Sequence, residues 1–232
     1  MAKHSKRFNQ ASERVDRDKV YEPSDALNLL KELPGAKFDE TVEVAVKLGI
    51  DPKKSDQLVR GAVSLPKGLG KTVKVVVFAE GEKAEAAQAA GADEVGSAEL
   101  AARIAGGWMD FDIIIASPDM MKHVGKLGKV LGPQGKMPSP KSGTVTPNVA
   151  QAVTEFKAGK VEFRTDAGGN VHAPVGKRSF TAADLEANLC AFLDHLDAMR
   201  PAAVKGQFMR KISLSTSMGP GAWISYGAAA HA

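Results

Sequence analysis

Two kinds of strand pattern, one nested inside the other, limit what this chain can fold into. From Thr41 to Leu48 apolar and polar residues alternate strictly, with Val42, Val44, Val46 and Leu48 on one side and Thr41, Glu43, Ala45 and Lys47 on the other. Side chains alternate across a strand, so this is a strand buried on one face and wet on the other. A polar turn over 49–57 follows, and residues 58–65 read as a second strand ending at Pro66. Residues 72–78 and 111–116 are different: rich in β-branched and apolar residues, they suit strands covered on both faces. Between them lie an Ala- and Glu-rich helix over 82–90, stopped at Gly91, and a helix near 98–105. Such strand–helix–strand alternation predicts a small open sheet with helices on its faces.

After Gly159 the first pattern returns. Val161-Glu162-Phe163-Arg164 and residues 171–175 read as antiparallel strands around the turn Asp166-Ala167-Gly168-Gly169-Asn170. Phe180-Thr181 caps a long amphipathic helix with Leu185, Leu189, Phe192, Leu193 and Leu196 on one side. A last strand, 211–215, runs into Ser217-Met218-Gly219-Pro220. At the other end a basic tail precedes a helix that Pro23-Ser24-Asp25 starts and Pro34 stops. Residues 125–147, with five Gly and four Pro, read as loop, and a short helix follows over 148–158. The expected fold class is mixed α/β and α+β in two domains. A discontinuous α+β domain, 1–66 plus 160–232, receives an inserted open-sheet, Rossmann-like α/β domain, 67–159. Gly and Pro at both connections, Pro66-Lys67-Gly68 and Gly159, predict a hinge.

Composition narrows the function. Hydrophobic residues are 44% and charged residues 25% of 232, as in a globular protein rather than a disordered one. The net charge of +4 matters less than its placement. No Asp or Glu precedes Glu13, while Lys3, Lys6 and Arg7 do. None falls between Met120 and Thr154, where Lys122, Lys126, Lys129, Lys136 and Lys141 lie. None follows Asp197, beyond which come Arg200, Lys205, Arg210 and Lys211. Three acid-free basic stretches point to faces built for a polyanion. No apolar run reaches the length of a membrane span and no secretory signal opens the chain, so the cytoplasm is expected.

Catalytic and ligand motifs are missing or broken. Gly68-Leu69-Gly70-Lys71-Thr72 resembles the end of a phosphate loop, but Leu65 stands where that loop needs Gly and a strand follows instead of a helix. Gly125, Gly128 and Gly132 have the wrong spacing for a dinucleotide fingerprint. His4, His123, His172, His195 and His231 show no metal-ligand pairing, and Asp194-His195 reads as a helix-edge pair. Cys190, the single cysteine, excludes an intrachain disulfide and reads as helix core. No cofactor and no metal are expected. Two other readings stay open: a nucleotide-dependent enzyme using the α/β segment and Lys71-Thr72, and an interaction module for acidic proteins.

Several segments go beyond general pattern. Ala36-Lys37-Phe38-Asp39-Glu40-Thr41-Val42-Glu43-Val44 leads into Leu48-Gly49-Ile50-Asp51-Pro52-Lys53-Lys54-Ser55-Asp56-Gln57 and Val59-Arg60-Gly61. Later come Leu131-Gly132-Pro133, Met137-Pro138, Pro140-Lys141-Ser142-Gly143-Thr144-Val145, His172-Ala173-Pro174-Val175-Gly176 and Ser217-Met218-Gly219-Pro220. In order and spacing, from about Lys3 to Pro220, the chain resembles the L-one family of bacterial large-subunit ribosomal proteins, the proteins of the mobile stalk. The resemblance implies a domain inserted into another, binding to 23S ribosomal RNA, and help in releasing tRNA from the exit site. It also implies repression of the protein's own operon through its messenger RNA. A non-enzymatic chain is expected, a monomer when free and part of the 50S subunit when assembled, with no membrane partner.

Carried over residue by residue, the family's RNA contacts fall on Lys37, Phe38, Thr41, Glu43, Arg164, His172, Ser217, Met218 and Gly219. Their chemistry suits the task. Thr41 and Glu43 face away from the valines; Lys37 and Arg164 can pair with phosphates; Phe38 can lie against a sugar or base. The Glu43 carboxylate can accept from ribose 2′-hydroxyls, and Gly219 would let backbone approach RNA closely. The chain departs from the family pattern at Ser217, where Thr is usual, and at Gln134, Lys136 and Ser139 in the Gly-Pro loop.

Overall fold

The computed structural model describes residues 4–226, so Lys3, His231 and the tail 227–232 lie outside the described residues. The chain begins with α1 (Lys6–Arg14), β1 (Val20–Tyr21), α2 (Pro23–Glu32), β2 (Thr41–Leu48) and β3 (Arg60–Ser64). Next come β4 (Val75–Phe78), α3 (Glu82–Ala89), β5 (Glu94–Gly96), α4 (Ala98–Ala105) and β6 (Ile113–Ala116). Short helices α5 (Met121–Val124) and α6 (Gly128–Leu131) and the longer α7 (Val149–Ala158) follow. The chain closes with β7 (Lys160–Arg164), β8 (Asn170–Lys177), α8 (Ala182–Ala198), β9 (Met209–Thr216) and β10 (Ala222–Ile224). The described residues cluster into two compact units, one running to Gly70 and resuming at Val161, the other Lys71–Lys160.

In the first unit the alternating strand does what its pattern predicts: Val42, Val44, Val46 and Leu48 are buried and Glu43 is exposed. It lies inside a five-stranded sheet of order β1-β10-β9-β2-β8, antiparallel except for the parallel pair β1–β10. The inner face packs on Ala26, Leu27 and Leu30 of α2 and on Leu185, Leu189, Phe192, Leu193 and Leu196 of α8. Each fully buried Leu is worth about 1.5–3 kcal/mol. Thr181 caps α8, its hydroxyl accepting from the Asp184 N–H. Within the apolar stripe of α8 one residue is polar. Asn188 is fully buried, and its amide donates to the carbonyls of Val175 and Gly68 at 2.8 and 2.9 Å while its oxygen accepts from Lys67 N–H at 2.9 Å. Both amide hydrogens and the oxygen are engaged, and the chain leaving β3 is pinned to helix and sheet at once.

Three expectations need correction here. The N-terminal segment is a helix rather than a tail: Ser5 caps it by accepting from Phe8 N–H, and Ala11 and Val15 are buried. Phe8, Ala11 and Val15 have helical spacing that the surrounding charge obscured. Segment 58–65 forms the strand expected of it, and β3 pairs with β7 in a separate two-stranded sheet. Both edges of β2 are already occupied, by β8 and β9. The strands around the 166–170 turn, expected to pair, share only the Thr165–Val171 bridge before going to different sheets. Cys190 is half-buried rather than core, and burial together with Glu186 and Asp194 pushes its thiol up, keeping it protonated.

The second unit is built on a parallel three-stranded sheet, order β5-β4-β6. All four residues of β4 are buried because helices cover both faces. Val75 and Val77 pack with Ala87, Val153 and Phe156, whereas Val76 and Phe78 pack with Leu100, Ile104 and Leu131. The structure thus has mixed α/β character with open sheets. The supposed loop from 125 is helical as far as Leu131, because Met120, Val124, Leu127 and Leu131 repeat at spacings of four, three and four and are all buried. That periodicity outweighs the low helix propensity of Gly125 and Gly128. Helix α7 ends at Gly159, whose φ of 111° is the left-handed cap that glycine alone adopts without strain.

Replacing Asn188 by Leu leaves Lys67 N–H and the Val175 carbonyl without partners. The expected cost is about 2–3 kcal/mol, measured as a lower urea midpoint; an unchanged midpoint would show that the buried amide contributes nothing net.

Candidate nucleic-acid interface

Strand register decides which polar residues share a surface. On β2, Thr41, Glu43, Ala45 and Lys47 point away from the core. Across β8 they stand beside Lys177, Pro174, His172 and Asn170, and across β9 Glu43, Ala45 and Lys47 stand beside Ser215, Ser213 and Lys211. Eleven strand positions from three segments distant in sequence therefore form one outer face. Glu43 and His172 are exposed on it, and Glu43 makes no side-chain hydrogen bond or ion pair among the described residues. Thr41 is half-buried and its hydroxyl already accepts from Lys177 Nζ at 3.0 Å. Arg164 and His172 each lie one residue from the Thr165–Val171 bridge, but on strands of different sheets, and Arg164 is exposed.

His172 is oriented by Asp166, Nε2 to Oδ2 at 3.5 Å. The Asp166 carboxyl is held down at about 2, first by the Asn170 N–H and side-chain amide, then by the Gly168 N–H and His172. That carboxylate organises the turn 166–170.

The end of the face is assembled by one buried acid. Glu40 is only 1% exposed. Its carboxylate accepts from the N–H groups of Ala36 and Met218, the latter at 3.1 Å, and from Arg7 at 3.3 Å. Arg7 also donates to the carbonyls of Pro34 and Met218. Burial pushes the Glu40 carboxyl up. Hydrogen bonds from the Thr216 hydroxyl, Ala36 N–H and Met218 N–H, with the Arg7 charge, more than offset this and hold it below its ordinary value. So Glu40 ties α1, the loop carrying Lys37 and Phe38, and the turn after β9 into one piece. Ser217 completes the tie. Its hydroxyl accepts from Thr41 N–H at 3.0 Å while its own N–H donates to the Thr41 carbonyl at 3.0 Å. A hydroxyl is all this requires, so Ser serves where the family usually has Thr.

Held this way, Phe38 and Met218 present their side chains to solvent, 56% and 53% exposed. Lys37 is exposed beside them, with no ion-pair partner among the described residues. The need for glycine at 219 has an internal cause: a Cβ there would lie 2.4 Å from the Thr216 hydroxyl that serves Glu40. Arg7, expected on a basic face, is spent on Glu40. Lys136, expected on a basic loop, turns inward to donate to the Phe111 carbonyl at 2.5 Å. Neither role was legible, since partner carbonyls and acids far along the chain leave no local mark. Lys122, Lys126, Lys129 and Lys141 are exposed as expected.

The phosphate-loop reading fails on geometry. Lys71 donates to Asp112 at 2.6 Å and no helix follows Thr72. At the C-terminal ends of the parallel strands, where open α/β sheets bind ligands, the crevice of about 300 Å³ is lined by Glu80, Glu82, Lys83, Ser117, Asp119 and Met120. Its one lysine is paired with Asp119 at 3.0 Å, so carboxylates dominate and phosphate is repelled. Among the described residues no group of three or more His, Cys, Asp or Glu could hold a metal ion, and no helix is long and apolar enough to cross a membrane.

The chain thus presents a polar sheet face with exposed apolar side chains at one end, together with a crevice whose charge is wrong for a nucleotide. Residues 30–220 match the family described as "Ribosomal protein L1p/L10e family". The chain is 59% identical over 222 residues to "Large ribosomal subunit protein uL1" of Bordetella pertussis, covering 96% of each chain. It is 55% identical over 221 residues to the protein of the same name from Kosmotoga olearia, covering 95% of this chain and 96% of that one. The chain belongs to the Ribosomal protein L1p/L10e family. It is a ribosomal protein, not an enzyme.

Because the Glu40 carboxyl is depressed on folding, its stabilisation is present above the ordinary value of 4.5 and is lost as pH falls through the lowered one. Glu40→Gln is expected to lower stability by roughly 1–3 kcal/mol at neutral pH, and the deficit should shrink in acid. Urea titrations across that range test this; a deficit independent of pH would assign the loss to shape rather than charge.

Proposed function

We propose that the chain is a structural RNA-binding protein of the large ribosomal subunit that grips 23S ribosomal RNA with the outer face of the β1-β10-β9-β2-β8 sheet. The observation carrying this reading is convergence. Thr41, Glu43 and His172 share one face; at its end Glu40 holds the backbone of Met218 and of the loop carrying Phe38, and Ser217 is bonded to Thr41. The names of the relatives, proteins of the large ribosomal subunit, point the same way. Lys37 and Arg164 pair with phosphates, Glu43 and Ser217 meet ribose hydroxyls and base edges, and Phe38 and Met218 cover sugar or base surface. A carboxylate on such a face favours RNA over DNA, because only RNA offers 2′-hydroxyl donors.

On the same reading the discontinuous domain, 1–66 plus 160–232, anchors the protein. The inserted domain, 67–159, moves on its two connections as part of the stalk and assists the exit of tRNA. Its exposed Lys122, Lys126, Lys129 and Lys141 provide looser, salt-sensitive contacts. Repression of the protein's own operon follows if its messenger RNA offers the same recognition element, and the two RNAs then compete for one surface.

Met218→Asp places a negative charge at the exposed turn without disturbing the Met218 backbone bonds to Glu40 and Arg7. Its affinity for 23S ribosomal RNA is expected to fall at least about ten-fold in a gel-shift titration, with an unchanged unfolding midpoint. Binding equal to the parent protein would remove this turn from the interface.

A further inference from the structure

The outer face continues beyond the residues named so far. Following the register across the sheet, one rung runs Val20, Trp223, Ser213, Ala45, His172. Ser213 and Ala45 are small, so the rung is a low floor with an indole at one end and an imidazole at the other. Trp223 and His172 are three strand spacings apart, about 14 Å. On the next rung Lys211 and Lys47 stand side by side, and Lys211 Nζ lies 5.5 Å from the centre of the Trp223 ring. Lys19 sits similarly over Tyr21 at the sheet edge.

Two features set this end apart. Val20 and Trp223 are 57% and 39% exposed although they are directly paired across neighbouring strands. With Phe38 and Met218 they make four of the five large hydrophobic side chains exposed among the described residues, all on this sheet or at its end. Exposed apolar groups gathered on one face mark a contact surface. Glu43 is the only carboxylate at the outward strand positions, against Lys47 and Lys211, while Asp166 is engaged with its own turn and His172. An aromatic platform under a lysine, on a floor of small residues, fits an unpaired nucleotide, whose base stacks and whose phosphate meets the ammonium.

We infer that Trp223 and Lys211 form a second RNA subsite, which stacks one unpaired nucleotide of the bound RNA and extends the interface across the whole sheet to β1. This rests on the RNA-binding reading above, and the test separates the two. Trp108 is the only other tryptophan, so Trp108→Phe leaves Trp223 as the sole indole reporter in the full-length chain. Titration with 23S ribosomal RNA is expected to quench Trp223 emission. Trp223→Ala should weaken binding about ten-fold, Trp223→Phe should restore most of it, and Lys211→Gln should flatten the salt dependence. If Met218→Asp weakens binding while Trp223→Ala binds normally and the emission does not change, the subsite is overturned and the RNA-binding reading stands. If 23S ribosomal RNA does not bind the parent protein at all, both fall. Quenching by RNA-free ribosomal proteins, with none by RNA, would overturn the subsite in favour of a protein neighbour.

Discussion

The buried carboxylate of Glu40 is the interaction on which the candidate surface depends. An acid taken out of water is costly unless it is well bonded, and Glu40 is met by two backbone N–H groups and a guanidinium. These partners come from three places in the chain: α1, the loop before β2 and the turn after β9. Once the carboxylate is satisfied, those segments cannot shift independently. Phe38 and Met218 are then raised from the end of the sheet on backbone that is already ordered, so little further ordering is needed when they are covered.

The sheet supplies what the acid cannot, which is area. Five paired strands carry a largely polar outward face. The inward side chains tie the same strands to α2 and α8. Rigidity and recognition are thus opposite faces of the same residues, alternating along β2. In the other unit the strands spend both faces on packing, and the exposed lysines lie on helices and loops. Its crevice, rich in carboxylates, has the wrong sign for a nucleotide.

Much of this was readable along the chain. The period of two in β2 specified its buried face, and the β-branched runs of β4 and β6 specified strands covered on both sides. Thr181 with the leucine stripe specified α8. Misreadings arose where a competing local signal was stronger. Lysine and arginine hid the helical spacing of Phe8, Ala11 and Val15, and glycines hid that of Met120, Val124, Leu127 and Leu131. Strands β1, β5 and β10 are two or three residues long, too short to show a period. The family resemblance brought Thr41, Glu43, His172, Met218 and Gly219 to attention, and the structure adds an internal reason for glycine at 219 in the nearby Thr216 hydroxyl.

The sequence by itself determined which side of each long strand is wet, where most helices begin and end, and that two sheets of different kind share the chain. Tertiary structure alone decided that β3 pairs with β7 and not β2, that Arg7 serves Glu40, and that Trp223, Ser213, Ala45 and His172 form one rung. The reason is physical. Periodicity and capping are set by neighbours within a few residues, whereas pairing depends on which backbone edges remain free after the core has closed, and an edge of N–H and C=O groups is the same for every side chain.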